Sequence, residues 1–92
     1  MRKTEIFNLH PVYSDQESFY GKAKTVIDGY AVRLISYDTE IVEIENGRIK
    51  MLCETKDLSA TTLKHLREFL RQMGHGDIAK LAKRGMINEL YI

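Results

Sequence analysis

One cysteine and one proline stand among 92 residues, and no apolar run exceeds a few positions. A single thiol excludes an intramolecular disulfide framework and fits a reducing compartment. No run is long enough to cross a bilayer as a helix. The opening Met1-Arg2-Lys3-Thr4-Glu5-Ile6 lacks the apolar stretch of a signal peptide. The expectation is a soluble, cytoplasmic protein. An excess of one charge is also missing: 14 basic and 13 acidic residues give a formal net charge of +1. A strongly basic nucleic-acid binder and an acidic DNA mimic are both excluded on that balance. With 43% hydrophobic and 29% charged residues, the composition is that of a folded chain, not a disordered or low-complexity one. A chain of this size buries about 60–65% of its unfolded surface. It is read as one domain spanning 1–92, with one modest core and no separate catalytic unit.

What is present falls into two halves. Residues 22–53 alternate and turn like a meander, and residues 58–85 carry helical periodicity. Asp28-Gly29 and Asn46-Gly47 are hairpin dipeptides, because type I′ turns need positive φ at both central positions. A two-residue loop at Asn46-Gly47 sets Glu45 opposite Arg48, Ile44 opposite Ile49, Glu43 opposite Lys50, Val42 opposite Met51 and Ile41 opposite Leu52. Opposed charges and opposed apolar residues both favour that register. A loop at Asp28-Gly29 sets Ile27 opposite Tyr30, Thr25 opposite Val32 and Ala23 opposite Leu34. A three-residue connection at 37–39, with a bulge, keeps Leu34 with Val42 and Val32 with Ile44 on one face. Four antiparallel strands are predicted, at about 22–27, 30–36, 40–45 and 48–53.

The predicted core face is Ile27, Tyr30, Val32, Leu34, Val42, Ile44, Ile49 and Met51. On the far face Ile35, Ile41 and Leu52 line up across three strands. Either the N-terminal segment (Ile6, Phe7, Leu9, Val12) covers them, or a partner does.

Ser59 is a good N-cap for a helix over about 60–73. Leu63, Leu66, Leu70 and Met73, with Phe69 beside them, form its apolar stripe. Gly74 stands at C′. Lys64, Arg67 and Arg71 lie on the opposite side, Glu68 supports Lys64 at a spacing of four, and His65 falls at the polar border. A second short helix is predicted at about 77–84, with Asp77 as N-cap and Ile78, Leu81 and Ala82 as its stripe. The tail 86–92 is apolar enough to dock, and 14–21 reads as a short capped helical turn. The fold class is α+β: a four-stranded antiparallel sheet covered on one face by the main helix.

Chemistry-bearing constellations are few. Cys53 is predicted opposite Glu40 and beside Glu54, and carboxylates raise a thiol pKa, which opposes reactivity. His10, His65 and His75 are scattered, without metal-ligand spacing. No catalytic residue, metal ligand or cofactor is expected. Helix, glycine turn and short helix superficially match helix-turn-helix, with Lys64, Arg67 and Arg71 on the first helix and Lys80, Lys83 and Arg84 on the second. The second helix opens with Asp77-Ile78-Ala79, however, and an acid there repels phosphate. Contact restricted to the nucleic-acid backbone is the version that survives.

Three stretches carry a resemblance: Gln16-Glu17-Ser18-Phe19-Tyr20-Gly21-Lys22-Ala23, Leu34-Ile35-Ser36-Tyr37-Asp38-Thr39-Glu40-Ile41, and residues 58–70, which open Leu58-Ser59-Ala60-Thr61-Thr62-Leu63-Lys64-His65. Over roughly 16–73 the chain resembles a group of small uncharacterised proteins carried by phages and mobile elements of Gram-positive and gut bacteria. Those combine a Ser-Phe-Tyr-Gly-Lys-Ala opening, a Ser-Tyr-x-Thr strand end and a Ser-Ala-Thr-Thr helix start. Members often carry Trp-Asp-Gly-Tyr where this chain has Thr55-Lys56-Asp57-Leu58, and the segment after Gly74 departs from the pattern. The resemblance supplies no activity. It implies a setting inside a host bacterial cell, where small phage-encoded domains often inhibit host machinery, CRISPR nucleases included.

The leading expectation is therefore a non-enzymatic interaction protein, in its most concrete version an inhibitor of a host defence nuclease. Its partner is a host protein or protein–nucleic acid complex, and a second copy of the chain is also admissible. Tyr20, Lys22, Ile35, Tyr37, Ile41 and Leu52 are the candidate partner-binding residues, with His65 near them. The alternative is a small nucleic-acid-binding regulator that uses Lys64, Arg67, Arg71, Lys80, Lys83 and Arg84. No membrane partner is expected.

Overall fold

The computed structural model describes residues 4–14, 17–53, 58–77 and 79. Among the described residues five strands and a helix follow one another: β1 (Thr4–Asn8), β2 (Ala23–Asp28), β3 (Ala31–Ser36), β4 (Thr39–Glu45), β5 (Arg48–Met51) and α1 (Ala60–Gln72). The strands form an antiparallel meander in the order β1-β2-β3-β4-β5. The α+β class holds, and the sheet has five strands rather than four. The fifth is the N-terminal segment. Instead of covering a sheet face, it pairs edge-on with β2, Thr4 opposite Asp28 through Asn8 opposite Lys24. Ile6, Phe7 and Val12 are left exposed, while Leu9 enters the main core.

The β4–β5 hairpin has the expected register from Glu45–Arg48 to Val42–Met51. Asn46 (φ 53°) and Gly47 (φ 77°) both occupy the left-handed region that a type I′ turn requires. The β2–β3 register is two residues from the expectation: Ile27 faces Val32, Thr25 faces Leu34 and Asp28 faces Ala31. Gly29 (φ 62°) takes the first central position and Tyr30 the second, and neither Asp28 nor Tyr30 has positive φ. This pattern fits a II′ turn, in which only the first central residue needs glycine. A shift of two preserves which face each side chain occupies. It does move Tyr30 out of the predicted core to the turn tip, where it is 89% exposed.

The β3–β4 connection keeps the expected Leu34–Val42 and Val32–Ile44 pairs and the expected bulge. Its loop is two residues, Tyr37-Asp38, since Ser36 pairs Thr39. The extra residue sits inside β4: Leu34 faces Val42 and the next pair is Ile35–Glu40, so Ile41 is unmatched. A bulge turns consecutive residues towards one side. Ile41 and Val42 are accordingly both in the core, at 1% and 0% exposure. The predicted far-face row of Ile35, Ile41 and Leu52 therefore does not exist. Ile41 belongs to the main core, and Ile35 and Leu52 are half-buried.

Helix α1 begins where the sequence places it. The Ser59 hydroxyl accepts the Thr62 N–H at 3.1 Å. It ends in a Schellman motif, with Gly74 N–H donating to the Arg71 carbonyl, His75 N–H to the Leu70 carbonyl, and Gly74 at φ 84°. Its buried face is Thr62, His65, Leu66, Glu68, Phe69 and Leu70, while Leu63 is half-buried and Met73 exposed. The face towards the sheet is thus rotated from the predicted leucine stripe and includes two ionisable groups. With Leu9, Phe19, Leu34, Ile41, Val42, Ile44 and Ile49, the helix completes the core.

Ala79 is fully buried, and its N–H donates to the His75 carbonyl at 3.0 Å, one helical turn. The remainder of the second predicted helix and the tail 86–92 lie outside the described residues. Within the predicted helical turn at 14–21, the described part holds a turn instead: Lys22 N–H donates to the Phe19 carbonyl at 2.9 Å.

Candidate functional site

The three sequence stretches that carry the resemblance meet in space. Phe19 comes from the first, Ser36 and Tyr37 from the second, and Ser59, Thr62 and His65 from the third. Ser59 Oγ donates to Thr62 Oγ1 at 3.2 Å. Thr62 Oγ1 lies 3.0 Å from Ser36 Oγ, which lies 2.8 Å from His65 Nδ1. Each hydroxyl has one proton to give. The His65 tautomer sets the sense of the inner bonds: with Nδ1 accepting, Ser36 donates to it and Thr62 to Ser36; with Nδ1 protonated, His65 donates to Ser36 and Ser36 to Thr62. The Phe19 ring meets the His65 ring edge-on at 4.6 Å between centroids, and the Tyr37 ring lies 5.9 Å away.

Ser36, Thr62 and His65 are all buried, so this polar cluster ties the end of β3 to the first two turns of α1 inside the core. Burial pushes the His65 pKa below its ordinary 6.5, because it disfavours imidazolium. His65 is therefore an inward-facing residue, not the surface histidine that helical spacing suggested. A serine hydroxyl on an imidazole is the first pair of a nucleophile triad. Here Ser36 Oγ already holds Thr62, and no carboxylate among the described residues bonds to His65.

Tyr20, Lys22 and Tyr37 stand on the turns that adjoin Phe19 and Ser36 in the chain. All three are exposed, and Tyr37 N–H donates to the Lys22 carbonyl at 2.7 Å, linking their two turns. Tyr20 (φ 52°) and Tyr37 (φ 57°) both adopt the left-handed region. That conformation costs an L side chain about 1–2 kcal/mol, yet Tyr20 projects 75% into solvent and Tyr37 48%. Of the expected partner-binding set, Tyr20, Lys22 and Tyr37 are exposed on these two turns, Ile41 is in the core, and Ile35 and Leu52 are half-buried.

A second feature lies along α1. Lys64, Arg67 and Arg71, expected to share a face, line a cleft of about 120 Å³ with Tyr13, Ser14 and Glu68. Lys80, Lys83 and Arg84 lie outside the described residues. Glu68 is the residue that helical spacing misassigned. It does not support Lys64; it turns to the loop before β2. Its carboxylate accepts N–H bonds from Val12 (3.0 Å), Tyr13 (3.0 Å) and Ser14 (2.8 Å), and the Gln72 amide at 2.6 Å. The same amide donates to the His10 carbonyl at 2.6 Å. Burial alone would raise the Glu68 pKa, but the bonds from Gln72, Val12, Ser14 and Tyr13 outweigh it and hold the group below its ordinary value. Arg67 is shifted down, first by burial and then by the charge of Arg71. Gln72 is four positions on, but the three backbone partners of Glu68 are 54–56 positions away in sequence, so no local pattern announces them.

Among the described residues no group of His, Cys, Asp and Glu can hold a metal ion, and no helix is long and apolar enough to cross a membrane. Cys53 Sγ donates to the Ile41 carbonyl at 3.7 Å.

Comparison with curated proteins and with solved structures returns no match. A family model does match, over residues 7–86, and so includes all three converging stretches and continues past Gly74. On that coverage the chain belongs to the family of unknown function DUF8033.

Proposed function

We propose that the protein works by binding another macromolecule rather than by catalysis, with Tyr20, Lys22 and Tyr37 at the centre of the contact surface. One observation carries this reading: two tyrosines hold an unfavourable backbone conformation while remaining exposed, Tyr20 more than Tyr37. At Tyr20, three-quarters exposed, packing gives little reason to keep an aromatic where glycine or asparagine would be less strained; at Tyr37 the ring also meets His65. Exposed tyrosines supply large contact area with little side-chain entropy to lose, which is why they concentrate in binding hot spots. The hydrogen-bonded run Ser59–Thr62–Ser36–His65, buried from Thr62 onward, braces the strand end that leads into Tyr37.

The test is site-specific photocrosslinking in the native host cell. A photoreactive residue placed at Tyr20 or Tyr37 should yield one dominant adduct. The same probe at Tyr30, more solvent-facing still and on another turn, should not. Equal adduct patterns at all three positions would remove the proposal. The narrower version, an inhibitor of a host defence nuclease encoded by a phage or mobile element, is supported by the motif resemblance alone. It predicts that expressing the chain restores plating of a phage, or uptake of a plasmid, that the nuclease otherwise excludes.

A further inference from the structure

The cleft beside α1 involves none of those three residues. We infer that it binds single-stranded nucleic acid, with Lys64, Arg67 and Arg71 on the phosphodiester backbone and the Tyr13 ring as a platform for one base. The three cations form one helical stripe, about 10 Å long at 1.5 Å per residue. Among the described residues no carboxylate forms an ion pair with any of them.

Glu68 shares the cleft, where a free carboxylate would repel phosphate. It is instead committed inward: 1% exposed, and holding N–H donors from Val12, Tyr13, Ser14 and Gln72. Burial first, and the charge of Arg71 second, disfavour the charge of Arg67, and an incoming anion offsets the repulsion from Arg71. Tyr13 is 60% exposed while its backbone N–H is fixed on Glu68. The ring is thus offered from a pinned main chain, which reduces the ordering cost of binding.

Size and chemistry favour a single strand. A cleft of about 120 Å³ admits a phosphate with part of its nucleotide but not the convex face of a duplex. Duplex readout would send one end of a helix into the major groove with base-reading side chains; here the cations run along the helix flank. A cationic groove with an aromatic platform is the recurring arrangement for sequence-tolerant single-strand binding. The near-neutral net charge confines attraction to this patch, so binding should be modest and sensitive to salt.

The test is fluorescence anisotropy of a labelled oligothymidylate with the full chain. Three phosphate contacts predict a log–log salt slope of about −2, or roughly a 20-fold loss of affinity from 50 to 200 mM salt. Replacing Arg67 and Arg71 together with Ala should flatten the slope to about −0.7. Tyr13→Ala should weaken binding by roughly tenfold with the slope unchanged, and Tyr13→Phe should bind like the unaltered protein. Circular dichroism checks that each variant folds, and the Tyr13 pair decides the matter if the arginine variant does not. The inference fails if the oligonucleotide is not bound at 50 mM salt, if a duplex of equal length binds more tightly, if polyglutamate displaces the strand at equal charge, or if the double variant keeps the full slope. None of these outcomes bears on the Tyr20 and Tyr37 crosslinks.

Discussion

His65 Nδ1 lies 2.8 Å from the hydroxyl of Ser36, 29 positions earlier in the chain, and both groups are sealed in the core. This bond and its continuation to Thr62 are the polar fastening between α1 and β3, within packing that is otherwise apolar. Ser36→Ala should therefore destabilise the fold by about 1–3 kcal/mol, the cost of leaving buried polar partners unsatisfied. Urea denaturation at pH 7 measures it. A change below 0.5 kcal/mol would show that the bond contributes little.

Acid should weaken the fold in two stages. The folded-state pKa of His65 is depressed below 6.5, so the unfolded chain takes up that proton first. The contribution is complete above about pH 6.5 and is lost as pH falls below it. The folded pKa of Glu68 is also depressed, so its contribution is present above the ordinary 4.5 and lost as pH falls towards the folded value. Urea midpoints should decline from pH 7 to 5 in the native protein. In His65→Gln the starting stability should be lower and the dependence over that interval shallower.

Glu68 anchors residues 12–14 by charge-assisted bonds to three consecutive N–H groups. Glu68→Gln keeps the volume but removes the charge and one acceptor oxygen. A loss of about 1–3 kcal/mol is expected. Amide exchange should accelerate most at Val12, Tyr13 and Ser14. Uniform acceleration across the sheet would instead mean that the residue supports the whole fold rather than the loop.

The bulge makes Ile41 a core residue and leaves Ile35 half-buried. Ile41→Ala should cost about 2–5 kcal/mol, and Ile35→Ala distinctly less. Equal losses in chemical denaturation would contradict the bulged register.

Two turn positions should respond in opposite directions. Gly47 sits at φ 77° with open space around it, so Gly47→Val should destabilise by more than about 1 kcal/mol through backbone strain alone. Tyr20, at φ 52° and 75% exposed, occupies the same region at a cost. Tyr20→Gly should leave stability unchanged or raise it by up to about 1 kcal/mol, while abolishing contact with the proposed partner. Thermal melts of the two variants make the comparison, and a large loss in Tyr20→Gly would show that the tyrosine serves the fold.

What local patterning settled was whatever depends on neighbours in the chain. The Asn46-Gly47 hairpin and its charge and apolar pairs follow from positive φ and period-two alternation. The Ser59 cap and the Gly74 stop follow from the free N–H and C=O groups at helix ends. The need for a bulge between Leu34 and Ile44 was visible because two apolar faces had to coincide. Three-dimensional packing decided the rest. Where the bulge falls is set by which residue the core accepts, and that places Ile41 inside and dissolves a surface row that strict alternation implied. The N-terminal segment becomes an edge strand because β2 offers an unpaired backbone edge, a partner with no sequence signature. His65 and Glu68 looked like polar helix-border residues, since spacing reports which way a side chain points and not what waits there. Ser36 and the N–H groups of residues 12–14 await them, brought close only by the closed fold. A buried polar group needs partners, and partners distant in the chain are supplied by tertiary structure alone.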